Sequence, residues 1–476
     1  MTAVPLSAED ATLLYAEAPG TQLQIGALCF FEAAPLRDRR GRIRHQALRS
    51  HVATRLGALP RFRQRIAPVL GDVAAPMWVD DPAFDIGRHV RGVELAEPGG
   101  PAALQEFMDR LLSQPMDAAH PLWDIHLVEG IGDLAVGDGP AVDVVAVVVR
   151  AHHVMADGIA LHAAAMLLLD AVPRAPRNRA DRWSPVPAPG TLGLTARALA
   201  ERTRRQVGMA AGVTRALVDP RRFAANARLA TQVAGSVLHG PPPRAPALTF
   251  TGPIGQTRAF AWDSVPMADI VAVKGACGST VNDVVLAITT GALRRHLEAA
   301  GGYDPAGREP RALIPVGNPQ SSTSASSNRF SVTSVTLPVH TGDPLERVRV
   351  VHDRMHARPD SPARTFAPHV FSIADVVPPP LLRAVVPQVL ARQPLVNLAV
   401  SNIPGSRAPL YLWESRMLGL YPFIDVVGNV ALIIGVLSYG DRLGIGITVD
   451  PDVAGDPRDL LVHIRDAAAE LAAAVG

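Results

Sequence analysis

Lysine is all but absent from this chain of 476 residues: Lys274 stands alone, and every other base in a set of 46 is arginine. With 44 acidic residues the formal charge is only +2. Alanine and proline are abundant alongside the arginine, which reads as the coding bias of a GC-rich genome rather than as a surface for phosphates. Aromatics make up 5% of the residues, and no basic block is interleaved with them, so nucleic acid is excluded as an expected partner. Two cysteines, Cys29 and Cys277, are too few for a disulfide framework and suit a reducing, cytoplasmic setting. No apolar run approaches the ~18 residues of a membrane span; the best are residues 144–149 and 430–437. The first residues carry neither a basic region nor a continuous apolar one, so export by a standard signal is not expected.

What is present is enough apolar residue, 48%, for a large folded core, punctuated by 43 prolines and 39 glycines. Strands are predicted at residues 22–32, 123–128 and 142–149, with a helix near 102–112. The run at 142–149 is β-branched and nearly uninterrupted, the pattern of a strand buried on both faces. Residues 181–246 form a Pro-bracketed helical linker, rich in Ala and Arg. Beyond it, residues 248–260 look extended and a helix capped by Ser279 or Thr280 runs to about Ala300. Further strands are expected at 311–316, 331–337, 395–401, 430–438 and 442–449, before a closing helix from about Asp456. The polar stretch 319–328 reads as a mobile loop. The fold class is therefore α/β, with sheet-containing subdomains at 1–180 and 247–476.

The chemistry gathers where the buried strand ends. Ala151-His152-His153-Val154-Met155-Ala156-Asp157-Gly158 leads into an apolar helical text. Successive extended positions point to opposite faces, so one of the two histidines enters a cleft and acts as the base. Imidazole can take a proton from a nucleophile and return it to a leaving group near neutral pH, as acyl transfer requires. Asp157 stands where a carboxylate caps a helix start. A metal site is not favoured here, because His152, His153 and Asp157 offer no helical i,i+4 histidine pair and no further ligands. A serine hydrolase is not favoured either, for want of a Gly-x-Ser-x-Gly elbow.

His152-His153-x-x-x-Asp157-Gly158 resembles the HHxxxDG signature of CoA-dependent acyltransferases. The rest of the chain resembles, more narrowly, the bacterial wax ester synthase/acyl-CoA:diacylglycerol acyltransferase family. The blocks in order are Leu6-Ser7-x-x-Asp10 leading to Glu17, Trp78-x-Asp80-Asp81-Pro82-x-Phe84-Asp85 with His89-Val90, and Pro121-Leu122-Trp123-Asp124. Asn282-Asp283, Pro338, Ser401-Asn402-Ile403-Pro404-Gly405, Pro409-Leu410-Tyr411-Leu412, Tyr421-Pro422 and Ser438-Tyr439 follow. The chain departs from the family pattern at Pro315-Val316-Gly317-Asn318-Pro319 and at Ser327-Asn328.

The resemblance implies two chloramphenicol-acetyltransferase-like subdomains, each a mixed sheet with helices, joined by the helical linker. It implies His153 as general base, with His152 supporting the loop, Asp157 holding local structure and Gly158 permitting the tight exit. It assigns Asn282 and Asp283 to the site as well; both fall in the first turn of a helix, Asn282 as a donor and Asp283 as a capping group. Acyl-CoA is the implied co-substrate, with no separate cofactor, and the acceptor is diacylglycerol or a long-chain alcohol. Such partners call for peripheral contact with the inner membrane or lipid inclusions. The arginines of the linker, Arg197, Arg202, Arg204, Arg205, Arg215, Arg221, Arg222 and Arg228, could lie on anionic headgroups. The competing readings are a condensation-type transferase using carrier-bound acyl groups and a lipid-binding protein of the same fold without turnover.

Overall fold

The structure is a computed structural model that describes residues 3–155, 165, 168–174, 183–218, 244–301, 308–317, 330–357 and 377–476. The first half contributes β1 (Val4–Pro5), β2 (Gln24–Glu32), β3 (Gln64–Ala67), β4 (Met77–Asp80), β5 (Val90–Glu94), β6 (Trp123–Glu129), β7 (Asp133–Ala135) and β8 (Ala141–His152). The second half contributes β9 (Ala259–Pro266), β10 (Arg311–Gly317), β11 (Phe330–Thr336), β12 (Leu398–Ile403), β13 (Tyr411–Leu412), β14 (Ser415–Ile424), β15 (Leu432–Tyr439) and β16 (Arg442–Val449).

These strands make two large sheets and a small one. The seven-stranded sheet runs β13-β14-β2-β8-β6-β5, with β7 on β8; the six-stranded sheet runs β11-β10-β12-β15-β16-β9; β1, β4 and β3 form a three-stranded sheet. β8 lies inside its sheet, as its composition requires. Val145, Val147 and Ala151 pack on one side with Ile25, Phe31, Ile125 and Leu127. Val144, Ala146 and Val148 pack on the other with Leu28, Phe30 and the helix Gly100–Leu112. The six-stranded sheet buries one face under the helices Met267–Cys277, Val281–Ala299, Pro344–His356 and Pro457–Ala473.

Most expected elements form within a few residues of their predicted bounds, but β14 was not foreseen. Gly419 and Pro422 interrupt its text, and both are read as strand breakers. The strand tolerates them because β13 covers it only at Arg416 and Ser415, so near Pro422, among the described residues, it has β2 on one side alone. This strand of the second half thereby completes the sheet of the first, and the two sheets are not contiguous in sequence. β9 also differs from expectation: it starts at Ala259, where the extended reading was ending, because Trp262, Asp263 and Ser264 break the apolar pattern that marks a strand.

β14 also presses on the six-stranded sheet. On β16 the odd residues Leu443, Ile445 and Ile447 face the helices, which turns Gly444 and Gly446 to the opposite face. A Cβ on Gly444 would lie 2.0 Å from the Leu420 carbonyl oxygen, and one on Gly446 1.8 Å from that of Pro422. Sheets normally pack about 10 Å apart because side chains keep them separated; here glycine lets backbone meet backbone. Gly405 permits a similar approach to the Ser438 carbonyl, while its N–H donates to Ser438 Oγ at 3.0 Å.

The linker helix Thr191–Val218 begins as a docked element, since Leu194 and Ala198 are buried against Ala67, Val69, Met77 and Val79. The expected loop at 319–328 lies outside the described residues. Cys29 and Cys277 are free thiols, and burial pushes the Cys29 thiol up to about 12, which leaves it unreactive. Replacing Gly446 by valine is expected to lower unfolding stability by about 3 kcal/mol or more in chemical denaturation, because neither backbone can yield.

Candidate active site

β8 ends at His152, and the chain turns immediately: the Met155 N–H donates to the His152 carbonyl at 2.9 Å. Backbone bonds from both neighbouring strands hold the turn, His152 N–H to the Leu122 carbonyl at 2.9 Å and His153 N–H to that of Leu23 at 2.8 Å. Leu23 takes φ 51°, left-handed and uncommon for leucine, and sits next to Gln24, the residue paired with His152. Strain of this kind is kept where the surroundings over-determine it.

The two imidazoles are in different situations. His152 is buried, its Nδ1 accepts the Val154 N–H at 3.0 Å, and its Nε2 lies 3.0 Å from Glu17 Oε1. A backbone donor aimed at Nδ1 puts the proton on Nε2, which donates to Glu17, so both ring nitrogens are committed. His153 is half-buried at the first position past the strand. Asp157 and Gly158 lie outside the described residues, as does most of the helix expected after them.

Beneath the pair is a polar cluster that sequence reasoning missed. Arg150 binds Asp124 through two bonds, Nε to Oδ1 at 3.0 Å and Nη2 to Oδ2 at 2.6 Å. Its Nη1 donates to Gln24 Oε1 at 3.1 Å and to the Leu111 carbonyl at 2.7 Å. Asp124 and Arg150 face each other in the β6–β8 register. Burial works to raise the Asp124 carboxyl, but the hydrogen bonds from His126 and Arg150, with the arginine charge, outweigh it and hold the group well below the ordinary carboxylate range. Gln24 joins this cluster to β14, because its carbonyl accepts the Asp425 N–H at 2.8 Å. Asp425 forms a second buried pair with Arg258, whose Nη2 reaches the Gly20 carbonyl. Burial raises the Asp425 carboxyl against the pull of Arg258. The end of the sheet that carries the histidines is therefore where residues preceding β9 dock. The only signals in the sequence were the Asp of the Pro-Leu-Trp-Asp block and a charge inside an apolar strand.

Trp123 anchors the neighbouring strand end. It stacks on His89 with centroids 4.5 Å apart, and its Nε1–H donates to the Phe62 carbonyl at 2.7 Å. Trp78 is buried too, and Phe84 half-buried. A small apolar recess lies against this layer, lined by Leu59, Phe62, Trp123, Ile125, Ala151 and Leu168.

Asn282 and Asp283 belong to the other lobe. Asn282 is half-buried in the first turn of the helix Val281–Ala299. Asp283 is buried in a capping box: its Oδ2 accepts the Thr280 N–H at 2.8 Å, and Thr280 Oγ1 accepts the Asp283 N–H at 3.2 Å. The same Oδ2 meets His352 Nδ1 at 2.8 Å. Asp283, His352 and His356 each present a donor atom within 4.8 Å of the others, the one such group of donors able to hold a metal among the described residues. The remaining family blocks tie to one another: Tyr439 Oη accepts the Leu410 N–H at 3.0 Å and donates to the Met417 carbonyl at 2.9 Å.

Two lobes built on mixed sheets, with a histidine pair at a strand end where they meet, form a chloramphenicol-acetyltransferase-like architecture. Among solved structures the chain superposes on the wax ester synthase/diacylglycerol acyltransferase of Marinobacter aquaeolei with TM-score 0.64 and 24% identity, over 99% of this chain and 100% of that one. It superposes on the first condensation domain of the calcium-dependent antibiotic synthetase with TM-score 0.62 and 16% identity, over 100% and 96% respectively. The family model of the wax ester synthase/diacylglycerol acyltransferase catalytic domain matches residues 6–285, and that of the WS/DGAT C-terminal domain residues 326–472. Proteins of Mycobacterium bovis and Mycobacterium tuberculosis that carry the name diacylglycerol O-acyltransferase are each 32% identical over 457 residues, covering 95% of this chain and 91% of theirs. The chain belongs to the wax ester synthase/diacylglycerol acyltransferase family, and is an O-acyltransferase.

Removing one partner of a buried pair costs about 3–5 kcal/mol, so Asp124→Asn is expected to lower unfolding stability at neutral pH. The depressed carboxyl contributes stability that is complete above the unfolded value of about 3.9 and is lost as pH falls below it. The gap between the two proteins in urea midpoints is accordingly expected to narrow below about pH 4.

Proposed function

We propose that the protein transfers a fatty acyl group from acyl-CoA to the hydroxyl of diacylglycerol, forming triacylglycerol, and to long-chain alcohols, forming wax esters, with His153 as general base. The observation that carries the assignment of the base is the commitment of both His152 nitrogens, to the Val154 N–H and to Glu17. With His152 engaged in this way, we assign proton transfer to His153, the second histidine of the pair.

In the proposed reaction His153 accepts the hydroxyl proton as the acceptor oxygen attacks the thioester carbonyl. The tetrahedral oxyanion collapses, the C–S bond breaks, and the imidazolium returns the proton to the departing thiolate, giving ester and free CoA. No acyl-enzyme forms and no separate cofactor takes part. His152 is a positioning residue that holds the turn; Asp157 and Gly158 are assigned to the site through the motif they share with the histidines. Asn282 is assigned as a donor to substrate oxygen, and Asp283 keeps the first turn that presents it.

The test is incubation of purified protein with labelled palmitoyl-CoA and either dioleoylglycerol or hexadecanol, beside His153→Ala. The wild type is expected to form ester, and the variant to lose roughly 10²- to 10⁴-fold in rate. No ester from either acceptor, or a fully active variant, overturns the reading.

Apolar acceptors also require an interface. Among the described residues no single helix is long and apolar enough to cross a membrane. We assign peripheral contact to the outer side of the helix Thr191–Val218, where Arg197 and Arg204 are exposed beside exposed Leu199 and Val207. Replacing Arg197, Arg202, Arg204 and Arg205 by glutamine is expected to weaken sedimentation with anionic liposomes, and unchanged binding removes this assignment.

A further inference from the structure

The helix Pro344–His356 carries His352 and His356 one turn apart, so both imidazoles project from one face. Their rings lie 4.2 Å apart, centroid to centroid. Asp283 approaches the same face from the first turn of the neighbouring helix, its Oδ2 2.8 Å from His352 Nδ1. Acyl transfer by His153 calls on Asp283 only as the cap of the turn that carries Asn282 and on neither His352 nor His356; the trio belongs to the second lobe and is held by two packed helices.

We propose that Asp283, His352 and His356 form a binding site for a borderline divalent cation of the zinc class. Each residue offers one donor atom, and the three lie within 4.8 Å of one another. Donors sharing a tetrahedral centre at bonds of ~2.0–2.1 Å stand roughly 3.3 Å apart, so the Asp283–His352 pair is already near that spacing. His356 is exposed at the helix end and presents the third donor atom to the same point. Two imidazole nitrogens select zinc, cobalt(II) or nickel(II) over magnesium and calcium, which take oxygen ligands.

The surroundings supply the support that such ligands need. Asp283 is fixed by the capping box with Thr280, so its carboxylate is aimed before any ion arrives. His356 Nδ1 lies 2.9 Å from the His352 carbonyl, a bond that orients the ring and leaves Nε2 available. Exposure of His356 opens the fourth position to water. A bound ion clasps the helix Pro344–His356 to the first turn that carries Asn282, so occupancy stiffens one wall of the second lobe.

The experiment is calorimetric titration of chelator-stripped full-length protein with Zn²⁺, with Co²⁺ absorption as a second reading and Mg²⁺ as a control. One equivalent of Zn²⁺ is expected to bind the wild type and to raise its thermal midpoint. His356→Ala and His352→Ala are each expected to weaken binding at least about tenfold and to abolish the midpoint shift. His356 is exposed, so circular dichroism of that variant should match the wild type. Absence of Zn²⁺ binding in the wild type, or equal affinity in His356→Ala, overturns the proposal. Ester formation is assayed separately, and either result stands without the other.

Discussion

One constraint organises this molecule: β14 must lie at backbone distance from β16. The strand completes the first lobe's sheet through β2 while its carbonyls rest on Gly444 and Gly446 of the second lobe's sheet. A side chain at either glycine would lever the sheets apart. Because β14 continues to Asp425, and Asp425 meets both Gln24 and Arg258, the same contact fixes how the lobes come together at the end of β8. The position of the histidine turn thus follows from the way one strand of the first lobe's sheet rests on the backbone of the second.

Polar groups at that end serve a different purpose. Arg150, Asp124 and Gln24 lie on three adjacent strands, Asp124 facing Arg150 and Gln24 two residues along from it, and they bind one another. Such a network adds less to net stability than its bond count suggests, since burial of the charges opposes it. It does fix the strand ends against one another, and with them the start of the turn that carries His153. His152 extends the same economy: a backbone N–H and a carboxylate settle its tautomer and hold the turn.

Much of the architecture was legible because its elements are locally determined. β8 announced itself through Val144 to Val149, and the Thr280 cap and the closing helix were visible as cap and period. β14 was not, because Gly419 and Pro422 mark a break in any local reading, and only the lack of a second neighbour beside Pro422, among the described residues, makes them acceptable. The alternation of Leu443, Gly444, Ile445, Gly446 and Ile447 did carry a trace of the close approach, since isolated strand glycines often mark one. His352 and His356 carried a sharper signal in the sequence, an i,i+4 histidine spacing on a helical stretch.

The sequence by itself determined that this is a two-part α/β chain with a histidine pair at the end of a buried strand, because hydrophobic period, caps and motif spacing are properties of neighbouring residues. Only the tertiary structure decided that β14 crosses between the halves, that Glu17 takes up His152, that Arg150 finds Asp124 and that Asp283 meets His352. Each of these depends on the distance between residues far apart in the chain, which no local pattern specifies and which packing alone sets.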